Sequence, residues 1–295
     1  MTEASTAASE TAERMKIPWR PIAWSGACLA LCYAPVMAAL AREWATNDDL
    51  AHAVFAPVLA GYVVWTKRGA LAAAGGRGSV WGLVLVLYAG LQCLAGGLID
   101  SIFLPRTALL LSLVGTILYL RGAATVRVLA FPLLLLLLTI PPPWSLYKQG
   151  TFQLQLLASR LSELSLDTLG YSVLRDGNVL DLVGQRLSVV EACSGIRSLY
   201  SLLFLGVAYA YLLEPRLWAR LLVVGAAVPA AVAANTGRIV VTAVVGGWNP
   251  QLAEGLYHAA TGWIITLAGF ALMVLGHALL AGAVRVFGVN RHAKT

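Results

Sequence analysis

Long apolar runs alternate with short polar segments along almost the whole chain. Because an α-helix rises 1.5 Å per residue, about 20 apolar residues cross the hydrocarbon core of a bilayer. The pattern therefore predicts an all-α polytopic membrane protein with eight transmembrane helices, of which the second is short and the seventh is longer than needed. The predicted spans are residues 22–41, 50–66, 80–99, 102–120, 128–145, 194–213, 217–246 and 259–284.

The segment between the fifth and sixth predicted spans is too long for a bare connector. Leucines recur in it at helical spacing, which indicates an amphipathic helix on the outer membrane surface. Short β-type runs follow, broken at Asp176-Gly177 and Gly184-Gln185, which have the chemistry of hairpin turns. An alternative is that the segment only caps the helix bundle. The leucines are Leu154, Leu157, Leu161 and Leu164, and the charged residues elsewhere on the helix are Arg160, Glu163 and Asp167.

Basic residues concentrate in alternate polar segments. Thirteen of the 21 lysines and arginines, but only four of the 14 acidic residues, fall in the N-terminal tail, every second connecting segment and the C-terminal tail. Lysine and arginine mark the cytoplasmic side of a membrane protein. We therefore expect both termini in the cytoplasm. On this topology residues 1–18 are a polar cytoplasmic tail, residues 19–290 are a single integral membrane domain, and its segment 147–192 is extracytoplasmic.

Composition agrees with a membrane protein and excludes two other classes. Of the residues 59% are hydrophobic and 12% are charged, and the mean hydropathy is +0.77, which is too apolar for an ordinary soluble domain. The net charge of +7 comes from basic residues in twos and threes, not from one stripe, so nucleic-acid binding is excluded. The polar first eighteen residues lack a small-residue cleavage site, so no removable signal peptide is predicted.

The four cysteines do not suggest a metal site or a disulfide framework, since none forms a C-x-x-C pair and histidines are few and scattered. No cofactor is expected. Cys28, Cys32 and Cys93 lie at or near membrane depth, where a single cysteine is usually a small apolar filler. Cys193 differs, because it lies in the polar stretch EACSGIRSL at the start of the sixth predicted span.

Three polar residues share the outer end of different predicted spans. The sixth span begins near Cys193, the seventh reaches the outer boundary near Arg238, and the eighth re-enters at His258. A thiolate is a nucleophile whose pKa is lowered by a nearby cation. Histidine can move a proton near neutral pH, whereas arginine keeps its proton and can hold an oxyanion. Together these residue types predict a site for acyl transfer.

Other polar residues near these spans have two interpretations each. Arg197 follows Cys193 by one helical turn and either steadies Glu191 or the thiolate, or extends to the membrane surface. Asn235, like Thr236, either supports Arg238 or caps and packs its helix. His52 either joins the site or is only a polar residue at a helix start. We interpret Arg106 and His292 as interfacial anchors and His277 as an anchor or a core residue.

These residues resemble the exosortase and archaeosortase family of membrane-embedded cysteine transpeptidases. The resemblance rests on VVEACSGIRSLYSLL, NTGRIVVT and YHAATGW, with support from DDLAHAVFAPVLAGYVVW, FPLLLLLLTIPPP and RDGNVLDL. It implies that the catalytic cysteine, arginine and histidine are Cys193, Arg238 and His258. One departure is Leu-Ala-His-Ala around His52, where the family usually has tyrosine-serine-histidine-glycine. The bacterial character of the sequence favours the exosortase side of the family.

The resemblance also implies a protein-sorting function in a bacterial inner membrane, with the active site facing the periplasm. Substrates of such enzymes are exported proteins with a C-terminal tail made of a short motif, typically Pro-Glu-Pro, then a membrane helix and a basic cluster. The implied reaction is cleavage of this tail through a cysteine thioester and transfer of the product to an amine, a lipid or water. Alternatives are a small-solute transporter with a polar outer rim, a non-enzymatic assembly factor and a protease that only hydrolyses. A transporter would favour a midplane site and internal repeats, and the sequence has no such repeat.

Overall fold

A computed structural model of the chain describes residues 19–189, 196–249 and 255–292. The chain divides into two units, Met1–Pro143 and Trp144–Thr295. Helices dominate both, and a small antiparallel sheet lies in the second. The predicted mostly helical architecture is confirmed. The single integral domain predicted for residues 19–290 stays a prediction.

In the part of the first unit that the structure describes, residues 19–143, every regular element is a helix. The helix Val80–Leu98 packs against Phe103–Arg121, and Phe55–Thr66 packs against Ala130–Leu137. Short helices lie in some of the connecting segments. The elements are α1 (Trp19–Cys32), α2 (Ala34–Thr46), a 3-10 helix (Asp48–Val54), α3 (Phe55–Thr66), α4 (Arg68–Ala73), α5 (Val80–Leu98), α6 (Phe103–Arg121), α7 (Ala123–Val128) and α8 (Ala130–Leu137).

The first predicted span is a bent pair of helices. α1 and α2 meet at Tyr33 with an angle of 71° between them. Pro35 explains the position of the break, because proline lacks an amide hydrogen and its ring collides with the preceding turn. The Tyr33 hydroxyl shares a buried hydrogen bond of 2.8 Å with Ser112 Oγ of α6. This bond fixes the bend against the neighbouring helix.

α5 and α6 form a close antiparallel pair. A Cβ atom added to Gly82 would lie 2.3 Å from the Tyr119 amide nitrogen, and one added to Gly115 would lie 2.8 Å from the Gly82 carbonyl oxygen. Such distances leave no room for any side chain. The two glycines therefore allow the helix backbones to approach each other directly, as small residues do between membrane helices.

The fifth predicted span, residues 128–145, is not one helix. α7 ends at Val128, α8 runs only from Ala130 to Leu137, and residues 141–143 are not helical. The ring of Pro132 would clash with the carbonyl group of Val128, four residues earlier, if the helix continued through both. The break between α7 and α8 lies at this position. The second unit begins with a new helix immediately after the three prolines.

The described residues of the second unit form four long helices and a three-stranded antiparallel sheet of order β1-β2-β3. The turns between strands contain Gly177 and Gly184, whose φ angles of 62° and 81° fall where glycine is favoured. The elements are α9 (Trp144–Thr168), β1 (Val173–Asp176), β2 (Val179–Leu182), β3 (Gln185–Ser188), α10 (Ile196–Leu213), α11 (Leu217–Trp248) and α12 (Gly255–His292).

α9 contains the predicted amphipathic helix, and it packs on α11 and on the sheet. Of the four leucines at helical spacing, Leu157 and Leu164 are exposed, whereas Leu154 and Leu161 are partly buried and Leu154 lines a crevice against α11. The buried face is mostly small or polar and contains Gln155, Ala158, Ser159, Ser162 and Leu166. Contact of the leucine face with the outer membrane surface stays a prediction.

Four helices in the described part of the chain are long and apolar enough to cross a membrane, or five if the bent pair α1 and α2 is one span. Residues 52–66 and 197–213 form shorter apolar helices. The prediction of eight spans is therefore not confirmed. The four helices lie in Val80–Leu98, Phe103–Arg121, Leu217–Trp248 and Ala260–Gly282.

Arg106 is not the interfacial anchor that we predicted. It is buried in α6, with 7% of its side chain exposed, and forms an ion pair with Glu43 of α2. The two residues are 63 positions apart in the sequence, so only the packing of α2 against α6 brings them together. A buried charge in an apolar helix is stable only when it is paired. Arg106 is therefore a structural ion-pair residue of the first unit.

Candidate active site

Arg238 lies in the interior of the second unit, on α11. Only 5% of it is exposed, and the next residue, Ile239, is fully buried. The sequence makes this helix long and almost wholly apolar, so it holds Arg238 among packed helices. A guanidinium in such surroundings is costly, and ionisable residues inside membrane helices usually mark functional sites.

The Arg238 guanidinium lies directly against Gly262 of α12. A Cβ atom added to Gly262 would lie 3.1 Å from Arg238 Cζ and 3.2 and 3.3 Å from its two terminal nitrogens. Even alanine at this position would therefore press on the guanidinium. Gly262 gives Arg238 the space that it occupies between α11 and α12.

Asn235 lies one turn before Arg238 on the same side of α11. It is 2% exposed, and neither atom of its side-chain amide has a hydrogen-bond partner among the described residues. A crevice of about 10 Å³ lies beside it, between α9 and α11, and is too small for a peptide group. Burying an unsatisfied amide costs about 1–3 kcal/mol. A residue that carries this cost is a candidate for a role in the site.

Cys193 and Glu191 lie outside the described residues, but the chain on both sides of them is described. Val189, just after β3, is fully buried in a cluster with Ile239 of α11. On the other side, Leu202 of α10 packs with Ala234 of α11 in a second cluster. Ile239 and Ala234 flank Arg238 along α11. Both chain segments that lead to Cys193 thus pack beside the part of α11 that carries Arg238.

His258 belongs to the first turn of α12, where the structure describes the backbone alone. Its position is four residues, or about one helical turn, before Gly262. Gly262 in turn contacts the Arg238 guanidinium. The described backbone therefore brings position 258 to within one turn of the arginine site.

Two further candidate residues lie in different units. Arg197 is partly buried in the first turn of α10, in the second unit. His52 is in the first unit, where it is 5% exposed and lies against the backbone of Leu138. It is thus a buried residue of the first unit, and a role for it in the site stays a prediction.

The remaining cysteines show no sign of chemistry in the described structure. Cys28 and Cys32 are exposed on α1, and Cys93 is partly buried on α5, all as free thiols. Among the described residues, no group of three or more histidine, cysteine, aspartate and glutamate side chains can hold a metal ion. These three cysteines provide matched controls for Cys193.

A model of the transmembrane exosortase family matches residues 44–275, which is most of the chain and includes all the predicted site residues. The chain belongs to the transmembrane exosortase family. The resemblance found in the sequence is therefore confirmed at the level of the family. No curated protein and no solved structure matches the chain.

Membership has consequences for function and location. Exosortases are membrane sorting transpeptidases, and the family processes exported proteins that carry a sorting signal. The family and the apolar helices together make this exosortase an integral membrane protein.

The structure also reveals a row of hydrogen-bonded polar side chains that the sequence pattern did not predict. The Tyr209 hydroxyl is 3.0 Å from His277 Nδ1, and His277 Nε2 is 3.0 Å from Glu214 Oε2. Of our two interpretations of His277, the core residue is correct. The hydrogen bond from the Arg216 amide, followed by the one from His277, lowers the pKa of Glu214 below its usual value. The only sequence signal was an acid beside two arginines at the start of α11.

Proposed function

We propose that this exosortase is a cysteine transpeptidase in which Cys193 is the nucleophile, His258 moves the proton and Arg238 binds the oxyanion. The observation that supports this most strongly is the buried guanidinium of Arg238, which lies against Gly262, one turn from position 258. Further support comes from Val189 and α10, which flank the cysteine segment and pack beside Arg238.

The first half of the reaction forms a thioester. The Cys193 thiolate attacks a peptide carbonyl of the sorting tail, forming a carbon–sulfur bond and moving the carbonyl electron pair onto oxygen. As this tetrahedral intermediate collapses, the carbon–nitrogen bond breaks and His258 donates a proton to the departing amine. The C-terminal part of the tail leaves, and the exported protein stays attached to sulfur.

The second half transfers the acyl group. His258, now neutral, accepts a proton from the incoming nucleophile, which attacks the thioester carbonyl. The carbon–sulfur bond then breaks and the thiolate is restored. An amine or a lipid nucleophile gives transfer, whereas water gives hydrolysis.

Arg238 and Asn235 have distinct roles in this proposal. The planar guanidinium offers several N–H donors in a fixed geometry, which suits a developing oxyanion or the carbonyls of a recognition motif. Burial strengthens these interactions, because little water competes for the donors. Asn235 supports the site from the neighbouring turn by hydrogen-bonding the cysteine segment or the substrate backbone. Arg197 and Glu191, on either side of Cys193, assist the thiolate.

The proposed substrates are exported proteins whose C-terminal tail has a Pro-Glu-Pro-type motif followed by a transmembrane helix. Lateral docking of that helix in the bilayer would position the motif at the outer surface, so membrane binding would contribute to orientation. The proposed location is the bacterial inner membrane, with both termini cytoplasmic and the site periplasmic. The bias of basic residues supports this orientation.

The test is replacement of Cys193 by alanine or serine in cells that co-express a tagged protein with such a tail. We expect tail removal to fall by at least about 10³-fold, because the covalent step is lost. Cys93→Ala, which removes a thiol from α5, is the matched control and should retain activity. Unchanged tail removal with Cys193→Ala would show that the nucleophile is wrongly assigned.

Sidedness is tested with a membrane-impermeant maleimide on intact and on inverted vesicles. Cys28, Cys32 and Cys93 are first replaced by serine so that only Cys193 can react. We expect labelling from the periplasmic face. Labelling only from the cytoplasmic face would contradict the proposed topology.

A further inference from the structure

The first unit contains a cavity of about 420 Å³ between its helices. α1, α2, α6 and α8 contribute to its walls, which are largely leucine, methionine and alanine side chains. A volume of this size falls in the range of small-molecule sites.

Two residues that line the cavity have buried hydrogen-bond donors. Arg106 and Trp44 both line it, and among the described residues Arg106 Nη1 and Trp44 Nε1 are buried without a hydrogen-bond partner. Arg106 itself is 7% exposed. Buried donors in native structures are nearly always satisfied. A molecule that accepts hydrogen bonds would satisfy these donors.

The charge beside these donors determines which kind of acceptor suits them. The second terminal nitrogen of Arg106 pairs with the carboxylate of Glu43, so the arginine is already neutralised. The indole N–H of Trp44 is a neutral donor. A neutral carbonyl oxygen suits this pair of donors, whereas a phosphate would be repelled by the carboxylate of Glu43.

The depth of the donors agrees with an ester carbonyl. Arg106 is the fourth residue of α6, a helix of 19 residues that is long and apolar enough to cross the bilayer. It lies roughly 5 Å inside the end of this helix, at the 1.5 Å rise of an α-helix. That is the border between hydrocarbon and the polar interface, where the ester groups of glycerolipids lie.

We propose that this cavity binds an ester-linked membrane glycerolipid, with an ester carbonyl accepting hydrogen bonds from Arg106 and Trp44 and an acyl chain along the leucine walls. The leucines Leu109, Leu110 and Leu136 provide the apolar surface for the chain. The ion pair with Glu43 holds the guanidinium in place. This site is separate from the chemistry proposed for Cys193 and does not depend on it.

The experiment is photo-crosslinking of the full chain in vesicles of phosphatidylcholine that carries a diazirine on one acyl chain. Peptide mass spectrometry should locate adducts on α6 or α8 at cavity residues. A diether phosphatidylcholine with the same diazirine chain lacks the ester carbonyl, and we expect it to label these residues about 2–10-fold less, as expected for lost hydrogen bonds. Equal labelling by the two lipids, or no adducts at cavity residues, would overturn the proposal.

Two variants test the donor itself. Trp44→Phe keeps the aromatic ring and removes the N–H, so diester labelling should fall toward the diether level. Trp81→Phe, on an exposed tryptophan of α5 outside the cavity, should change nothing. Unchanged labelling in Trp44→Phe would contradict the assigned contact. If Trp44→Phe does not fold, the comparison of the diester and diether lipids on the unaltered chain still tests the proposal.

A lipid with an anionic headgroup tests the charge argument. Phosphatidylglycerol carrying the same diazirine has the same ester carbonyls, so we expect it to label the cavity to within about twofold of phosphatidylcholine. A preference of more than about tenfold for the anionic lipid would show that Arg106 binds a phosphate-type headgroup, and the neutral-carbonyl proposal would be wrong.

Discussion

Each of the two units buries an arginine in an apolar helix, and the two arginines differ in their surroundings. Arg106 in the first unit is 7% exposed and pairs with the carboxylate of Glu43. Arg238 in the second unit is 5% exposed and lies against the backbone of Gly262, one turn from the amide of Asn235. The first arrangement stabilises a fold. We propose that the second serves the reaction.

The largest predicted effect is a loss of folding stability when the ion pair of the first unit is broken. Glu43→Ala leaves the Arg106 charge buried and uncompensated, which typically costs about 3–5 kcal/mol. We expect the midpoint of unfolding in detergent micelles, followed by circular dichroism, to fall accordingly. Activity per folded molecule should change little, because this pair is not in the proposed site.

The double variant Glu43→Leu with Arg106→Met is the control for that experiment. Replacing both charges by apolar side chains removes the unpaired charge, so most of the lost stability should return. A single Glu43→Ala variant as stable as the unaltered chain would show that the ion pair does not stabilise the first unit.

The next largest effect concerns the second arginine. Arg238→Lys keeps the charge and loses the planar set of donors, so we expect kcat/KM for tail removal to fall by about 10²–10³-fold, the usual loss for an oxyanion donor. The unfolding midpoint should move far less than in Glu43→Ala. Arg216→Lys, at the exposed start of the same helix, is the matched control. Full activity in Arg238→Lys would show that Arg238, like Arg106, is a structural residue.

A smaller effect should follow from moving Arg238 without replacing it. In Gly262→Ala the new Cβ would lie 3.1 Å from Arg238 Cζ, so the guanidinium must shift by a few tenths of an ångström. Because small displacements of catalytic groups are costly, we expect about a 10-fold loss of activity. Gly276→Ala on the same helix meets open space and should have normal activity. Equal activity of the two variants would argue that the position of Arg238 is not critical.

Replacement of Asn235 should give the smallest loss of activity and, unlike Glu43→Ala, should not lower the stability of the fold. Asn235→Leu replaces an amide without described partners by an apolar group, so the fold should be as stable as before or more stable, by up to about 2 kcal/mol. Activity should fall about 5-fold through loss of a hydrogen bond to the site. Thermal unfolding and tail-removal rates measured on the same preparation test both parts. Lower stability with normal activity would make Asn235 a packing residue.

The sequence distinguished the two arginines, but it did not predict the ion pair of Arg106. Both stand in apolar runs, and Arg106 has no acidic residue within helical reach along the chain. Its partner Glu43 becomes a neighbour only when α2 packs on α6. The interpretation of Arg106 as an interfacial anchor was wrong for this reason. Arg238 was singled out by its predicted position at the outer end of the seventh span, level with Cys193 and His258, and the resemblance to a family then agreed with that choice.

Secondary structure followed the sequence where local signals were strong. The length of the apolar runs predicted the helices α5, α6, α11 and α12, and the glycines at positions 177 and 184 predicted the turns of the sheet. The break near Leu129 was missed, although Pro132 signalled it. Leucine spacing in α9 predicted a helix, but its packed face is the one with Ser159 and Ser162. The leucine spacing did not reveal which face of α9 is packed, because that face consists mainly of small and polar residues.

The central claim is that Cys193, Arg238 and His258 meet in one pocket, and disulfide trapping tests it most directly. In a chain whose Cys28, Cys32 and Cys93 are serine, His258→Cys is oxidised mildly and the Cys193 crosslink is measured by mass spectrometry. Disulfides need Cα atoms about 4.4–6.8 Å apart, so we predict rapid crosslinking at position 258 and none for Gly276→Cys, far along the same helix. Crosslinking at position 258 no faster than at position 276 would contradict the claim.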